Sequence, residues 1–253
     1  LDDKFDISFK IRLIVQAILS ICMMYFADLR LENIGNLFGL GDLHLGFLSP
    51  VITILAVIGA INAFNMVDGI DGLLGGLAIV TLGAIAILLK VDSQHGLAYL
   101  CVVFIVAIIP YILMNLGILG RERKVFMGDA GSMMIGFTVI WLLLGASQDP
   151  SESLMRPITA LWLIAVPLMD MAAIMFRRVR RGVSPFKPDR EHLHHIFQRL
   201  GCTPRQTLAI ICAIASSFAG FGIYGEFLKV PESTMFILFL VCFAAYTVAM
   251  SYV

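Results

Sequence analysis

Residues 53–90 read TILAVIGAINAFNMVDGIDGLLGGLAIVTLGAIAILLK. Two apolar runs meet at a polar junction where Asp68 and Asp71 are each followed by glycine. A transmembrane helix needs roughly 20 predominantly apolar residues, and each flank supplies about that many. Neither flank alternates apolar and polar residues with a period of two, so a half-buried strand is excluded. In hydrocarbon, backbone groups must be satisfied within the segment itself, which leaves the helix. The stretch therefore reads as two membrane helices joined at a turn that carries two carboxylates.

The rest of the chain repeats this pattern. Of 253 residues, 59% are hydrophobic and only 14% charged, with a mean hydropathy of +0.92. Soluble domains carry about 25% charged residues, so the composition belongs to a membrane protein. Eight runs qualify as spans: 11–29, 46–64, 72–90, 96–115, 130–147, 157–176, 206–226 and 234–253. The expected fold is all-α, a polytopic membrane helical bundle forming one domain over 1–253, with a long basic loop at 177–205. A net charge of zero argues against a nucleic-acid partner. The five cysteines have no paired spacing, so neither a disulfide framework nor a CxxC metal site is indicated. No signal peptide precedes the first span, and the chain opens on Leu1 and stops within an apolar run, so both ends are expected to be cut.

Charge distribution orients the bundle. The segments 1–12, 62–71, 117–129 and 177–205 contain all the lysines and arginines except Arg30, Lys90, Arg156 and Lys229. By the positive-inside rule these segments are cytoplasmic. That sidedness sends Asp2, Asp3, Asp6, Asp68, Asp71, Asp129, His192, His194 and His195 to a single membrane face. Polar residues distant in sequence are thus expected to form one site.

Each motif also has a plain structural account. In LDDKFD (1–6), Asp2 and Asp3 could serve a helix N-terminus, where carboxylates suit the macrodipole. In DGIDG (68–72), Asp71 could be the N-cap of the following helix, but carboxylates three apart can also converge on one ligand. Asn62 and Asn65 precede them at the membrane boundary. KVFMGDAGS (124–132) sets Asp129 between glycines at a helix start, where free N–H groups suit phosphate and a carboxylate can hold Mg²⁺. Phe126 could offer a ring for a base to stack on. PDREHLHHIFQRLG (188–201) places three histidines among basic residues, a set better suited to an anion than to zinc, which lacks a fourth ligand at ordinary spacing. Asp170 is a carboxylate two turns inside an apolar run, either functional or paired with a neighbouring helix or with Arg177. The glycines of GLLGGLAIVTLG (72–83) fit close helix packing.

Taken together, the acidic pair, NAFNMVDGIDG, FMGDAGS and PDREHLHH resemble the polyprenyl-phosphate N-acetylhexosamine 1-phosphate transferases over essentially the whole chain. The HLHH and VFMGDAGS wording is similar to the branch that uses UDP-GlcNAc. The resemblance implies transfer of GlcNAc-1-phosphate from UDP-GlcNAc to undecaprenyl phosphate, with release of UMP. The setting implied is the bacterial inner membrane, with the site facing the cytoplasm, at the start of lipid-linked O-antigen-type glycan synthesis. It implies Mg²⁺, with Mn²⁺ as a substitute, and leaves homo-oligomerisation open. Carried over by motif, Asp129 and Asp3 hold the metal, and Asp2, Asp3, Asp68 and Asp71 are the catalytic carboxylates. Lys10 contacts the diphosphate, Asn65 and Asn115 lie on the nucleotide or sugar side, and Phe126 stacks on uracil. Arg190, His192, His194 and His195 hold the sugar diphosphate. The family pattern places three membrane helices ahead of the acidic pair, so this stretch alone is expected to be inactive.

Two chemical routes fit these residues: direct attack by the lipid phosphate, or a covalent phospho-sugar intermediate on an aspartate. Two other functions also compete. Phospho-MurNAc-pentapeptide transfer uses the same kind of site. A polytopic transporter would explain Asp170, but transporters gather polar groups near the bilayer midplane, not at one face.

Overall fold

In a computed structural model, which describes residues 8–148, 155–184 and 192–251, the chain is all-α. The helices are α1 (Phe9–Ala27), α2 (Ser49–Met66), α3 (Leu73–Val91), α4 (His95–Asn115) and α5 (Gly128–Ser147), followed by α6 (Pro157–Leu163), α7 (Ala165–Arg180), α8 (Leu193–Arg199), α9 (Pro204–Phe227) and α10 (Glu232–Ser251). Seven are long and apolar enough to cross a membrane, and α6 with α7 forms a bent pair that would make an eighth. The expected spans thus appear in order, with their ends moved by only a few residues.

The hydrophobic hairpin of the opening stretch lies at the centre. α3 packs against α4, α5 and α9, and its buried residues include Leu74, Ala78, Leu82, Ile85, Leu88 and Leu89. Small residues allow the close approaches. A Cβ on Gly75 would meet Ile112 Cγ1 at 2.5 Å, and one on Gly76 would meet Cys212 Sγ at 2.7 Å. The packing role expected for the 72–83 glycines holds at these two positions and at Gly72, where a Cβ would meet Leu116 Cδ2 at 2.8 Å, whereas a Cβ at Gly83 would meet nothing within 4 Å. α2 lies equally close to α5, where a Cβ on Gly136 would reach Ile61 Cα at 2.7 Å. Peripheral helices instead expose Ile14, Ile18, Tyr99, Val106, Ile237 and Val241 outward, as lipid-facing surfaces do.

One expected span is corrected. The run 157–176 is not one helix: it breaks at Ile164, and α6 and α7 meet at 81°. Pro167 explains the break. Proline has no N–H to offer the carbonyl four residues back, and its ring clashes with that carbonyl. The freed Leu163 carbonyl accepts a hydrogen bond of 3.1 Å from the hydroxyl of Thr81, buried on α3. Hydropathy is blind to this because leucine and proline both sit comfortably in an apolar window. In α7, after the bend, Asp170 lies against the histidine segment.

The two ends of the bundle differ. At one end Arg12, Asn65, Asp71, Lys124, Asp129 and His194 meet through contacts between α1, α2, α5, α8 and the loops. At the other, Gln148 Oε1 accepts from the backbone N–H groups of Glu32 and Asn33, and Arg156 binds Glu226. The sorting of loops by charge in the sequence is therefore reproduced in space.

Candidate active site

The DGIDG turn is short. α2 continues through Met66, so Asn62 and Asn65 are helical rather than part of the connection. The Gly69 N–H bonds the Val67 carbonyl at 2.8 Å, and Leu73 N–H bonds Ile70 at 3.1 Å. α3 then starts after Gly72, whose φ of +79° lies in the left-handed region that glycine tolerates. Asp71 does not cap this helix, since no side-chain cap bond is formed there. Its carboxylate pairs instead with Lys124 from the loop after α4.

Asn115 joins these two loops. Its Oδ1 accepts the Gly72 N–H at 2.6 Å, and its Nδ2 donates to the Val125 carbonyl at 2.8 Å. The side chain is buried, so the carboxamide of this expected substrate-side residue is committed to backbone on both sides. Phe126 follows immediately and is 75% exposed, with Lys124 Nζ 5.4 Å from its ring centroid. An exposed ring beside a cation is available for stacking.

Asp129 occupies the first turn of α5, where the macrodipole favours a carboxylate. Arg12 Nη1 donates to its Oδ2 at 2.5 Å, and Asn65 Nδ2 donates to its Oδ1 at 3.2 Å and to Ser132 Oγ at 2.8 Å. Behind Asn65 a polar line runs into the bundle: Asn62 Nδ2 donates to Gln16 Oε1 at 2.8 Å. Lys10, exposed, lies two residues before Arg12 on α1 and so on a different side of the helix. Asp68 is accessible at the turn. Its pKa is pushed up to about 6, mainly by partial burial and further by the negative charges of Asp129 and Asp71. Carboxylates whose negative charges raise the pKa of Asp68 invite a cation.

Among the described residues no group of three or more His, Cys, Asp or Glu is placed to hold a metal ion by itself, and the carboxylates of Asp68, Asp71 and Asp129 offer oxygen donors only. Mg²⁺ ordinarily takes one or two carboxylates and leaves its other positions to water and phosphate oxygens.

The histidine segment docks on the same face. His192, His194 and His195 form a ring cluster, with His192 and His194 stacked at 5.6 Å and His194 and His195 tilted at 47° with centroids 4.2 Å apart. His194 is buried against Gly69: a Cβ there would meet its Cε1 at 2.1 Å. Burial, then the neighbouring His195 and His192, lower the His194 pKa to about 4, with Asp170 opposing. His194 is therefore neutral near pH 7 and offers hydrogen bonds rather than charge.

Asp2, Asp3 and Arg190 lie outside the described residues. The structure brings together Asn65, Asp68, Asp71, Asn115, Asp129 and the three histidines. It adds Arg12, Lys124, Ser132 and Asp170, to which the motif resemblance assigns no role. Arg12 was legible in principle, because a guanidinium in the first turn of an apolar helix needs a partner.

The site is thus a cluster of carboxylates, amides and cations at one end of a membrane-helix bundle, bordered by an exposed aromatic ring and a histidine segment. Such a site defines a membrane-embedded enzyme acting on an anionic substrate. The profile of glycosyl transferase family 4 matches residues 1–147, and the chain belongs to that family. It is 54% identical over 247 residues to the undecaprenyl-phosphate alpha-N-acetylglucosaminyl 1-phosphate transferase of Salmonella typhi, covering 97% of this chain and 67% of the relative. It is 55% identical, at the same coverage, to the protein of that name from Yersinia pestis. For the Haemophilus influenzae protein of that name the identity is 49% over 253 residues, covering 100% of this chain and 71% of the relative.

Proposed function

We propose that this chain carries the transfer site for GlcNAc-1-phosphate, moved from UDP-GlcNAc to undecaprenyl phosphate at the cytoplasmic face of the bacterial inner membrane, with UMP released. The observation that carries the reading is the meeting of the DGIDG turn, Asp129 and the histidine segment at one end of the bundle. Three relatives about half identical to it over nearly the whole chain are named for this GlcNAc reaction, which favours it over muropeptide transfer.

The chemistry joins two anions. An oxygen of the lipid phosphate forms a bond to the phosphorus bearing the sugar. The bond from that phosphorus to the bridging oxygen breaks, and UMP leaves with the electron pair. The main barrier is like-charge repulsion, so neutralisation and positioning supply most of the catalysis. Arg12 and Lys124 contribute fixed positive charge beside Asp129 and Asp71. Asp129, with Asp3 and with Asp68 at its side, would hold Mg²⁺ (or Mn²⁺), which when bound supplies charge neutralisation at the phosphate oxygens. Asp2 or Asp3 orients or deprotonates the lipid phosphate. Asn65 holds Asp129 in register. Phe126 stacks on uracil beside Lys124 and its partner Asp71, Lys10 contacts the diphosphate, and His192, His194, His195 and Arg190 line the sugar-diphosphate side.

Replacing Asp129 tests the reading. In the protein held in membranes, Asp129→Asn is expected to abolish Mg²⁺-dependent UMP release from UDP-GlcNAc and undecaprenyl phosphate. Release at the unmodified rate would remove Asp129 from the site.

A further inference from the structure

Asp170 is 1% exposed and faces the histidine segment, yet no motif includes it. Its Oδ2 lies 2.8 Å from His192 Nδ1, and its Oδ1 accepts the Leu193 backbone N–H at 3.0 Å. The same Oδ1 accepts the hydroxyl of Tyr246, from α10, at 2.7 Å. A buried carboxylate is costly unless its lone pairs are filled, and three donors fill them here. With Asp170 ionised, the His192 proton resides on Nδ1. That leaves Nε2 as the second ring position, its character fixed by the first bond.

Geometry extends the effect beyond one ring. Leu193 is the first residue of α8, so Asp170 holds the start of the helix that carries His194 and His195. His192 stacks on His194, and His194 seats against Gly69 of the DGIDG turn. The chain of contacts therefore runs from Tyr246 through Asp170 and the histidines to the carboxylate turn.

We propose that Asp170 is a positioning residue for the transfer reaction, with Tyr246 holding it: it sets the His192 tautomer and docks the histidine segment against the DGIDG turn. This rests on the reading of the site as a GlcNAc-1-phosphate transferase. Outer partners of this kind typically change activity about 10–100-fold when removed.

The test uses full-length protein in membranes and the variants Asp170→Asn, Asp170→Glu, Tyr246→Phe and His192→Ala. Asp170→Asn keeps the volume but can no longer accept at both oxygens, so kcat/KM for UDP-GlcNAc should fall about 10–100-fold. KM for UDP-GlcNAc should rise while KM for undecaprenyl phosphate stays put. Tyr246→Phe should show the same pattern more weakly, and Asp170→Glu should restore part of the loss. Combining Asp170→Asn with His192→Ala should add little to His192→Ala alone, because the two act as a unit. A loss of kcat with both KM values unchanged, or fully additive losses, would overturn the assignment.

Trypsin cleavage in the histidine segment gives a second readout that needs no substrate. Asp170→Asn should accelerate it, and an unchanged rate would overturn the docking role. If the unmodified protein fails to use UDP-GlcNAc while Asp170→Asn still accelerates cleavage, the functional reading falls and the docking stands.

Discussion

Replacing Gly69 with alanine probes the contact on which the site depends. Gly69 does not have a positive φ, so alanine is not excluded there by backbone conformation. The obstacle is steric: the new Cβ would lie 2.1 Å from His194 Cε1 and 2.2 Å from Nε2, whereas ordinary contact begins at 3.4 Å. The imidazole must therefore retreat by more than an ångström. It has little room, being 3% exposed and stacked on His192, which Asp170 anchors. A misplacement of about 1 Å in a positioned group can cost about 100-fold in rate. Overpacking of this kind costs about 1–3 kcal/mol in stability. Gly69→Ala in the full-length protein should accordingly lower kcat/KM for UDP-GlcNAc about 100-fold while the protein remains folded. UMP release, followed alongside thermal unfolding in detergent, checks both halves. Gly83→Ala is the control: its Cβ meets nothing within 4 Å, and alanine in a helix gains about 0.5–1 kcal/mol over glycine. Unmodified kcat/KM in Gly69→Ala would refute the claim that His194 is seated on the turn.

Three further outcomes follow from individual contacts. Because Asp68 has its pKa raised to about 6, it holds a proton below that pH, and a cation must displace it. Mg²⁺ affinity, measured by calorimetry, should rise with pH up to about 6 and level off above 7, and Asp68→Asn should flatten that rise. Asn115→Ala should cost about 2–4 kcal/mol, since it strands the Gly72 N–H and the Val125 carbonyl together, and chemical denaturation in detergent would register it. Thr81→Val should cost about 1–3 kcal/mol by leaving the Leu163 carbonyl unsatisfied at the helix break, with little change in substrate KM.

Much of this molecule is written locally. Length and uninterrupted apolar character decide that 73–91 and 95–115 are membrane helices, since hydrocarbon permits a lone segment no other backbone solution. The uneven distribution of lysine and arginine decides which loops share an end. Those two facts already bring Asp68, Asp71, Asp129 and the histidines to one face. Charge alone could not assign partners across that face. That Asp71 takes Lys124 rather than capping α3, or that Asn115 spends its amide on two loops, depends on helices distant in sequence. The break at Ile164 is intermediate: Pro167 announces it, but proline is tolerated in membrane helices, as Pro110 inside α4 demonstrates. At Pro167 the chain does bend, and the freed Leu163 carbonyl finds a partner in Thr81 on α3. Asp170 is the clearest case. Sequence alone marks it as a costly charge in an apolar run. Only tertiary packing, by turning α7 through the bend and bringing α10 alongside, supplies the His192, Leu193 and Tyr246 donors that make a buried carboxylate affordable.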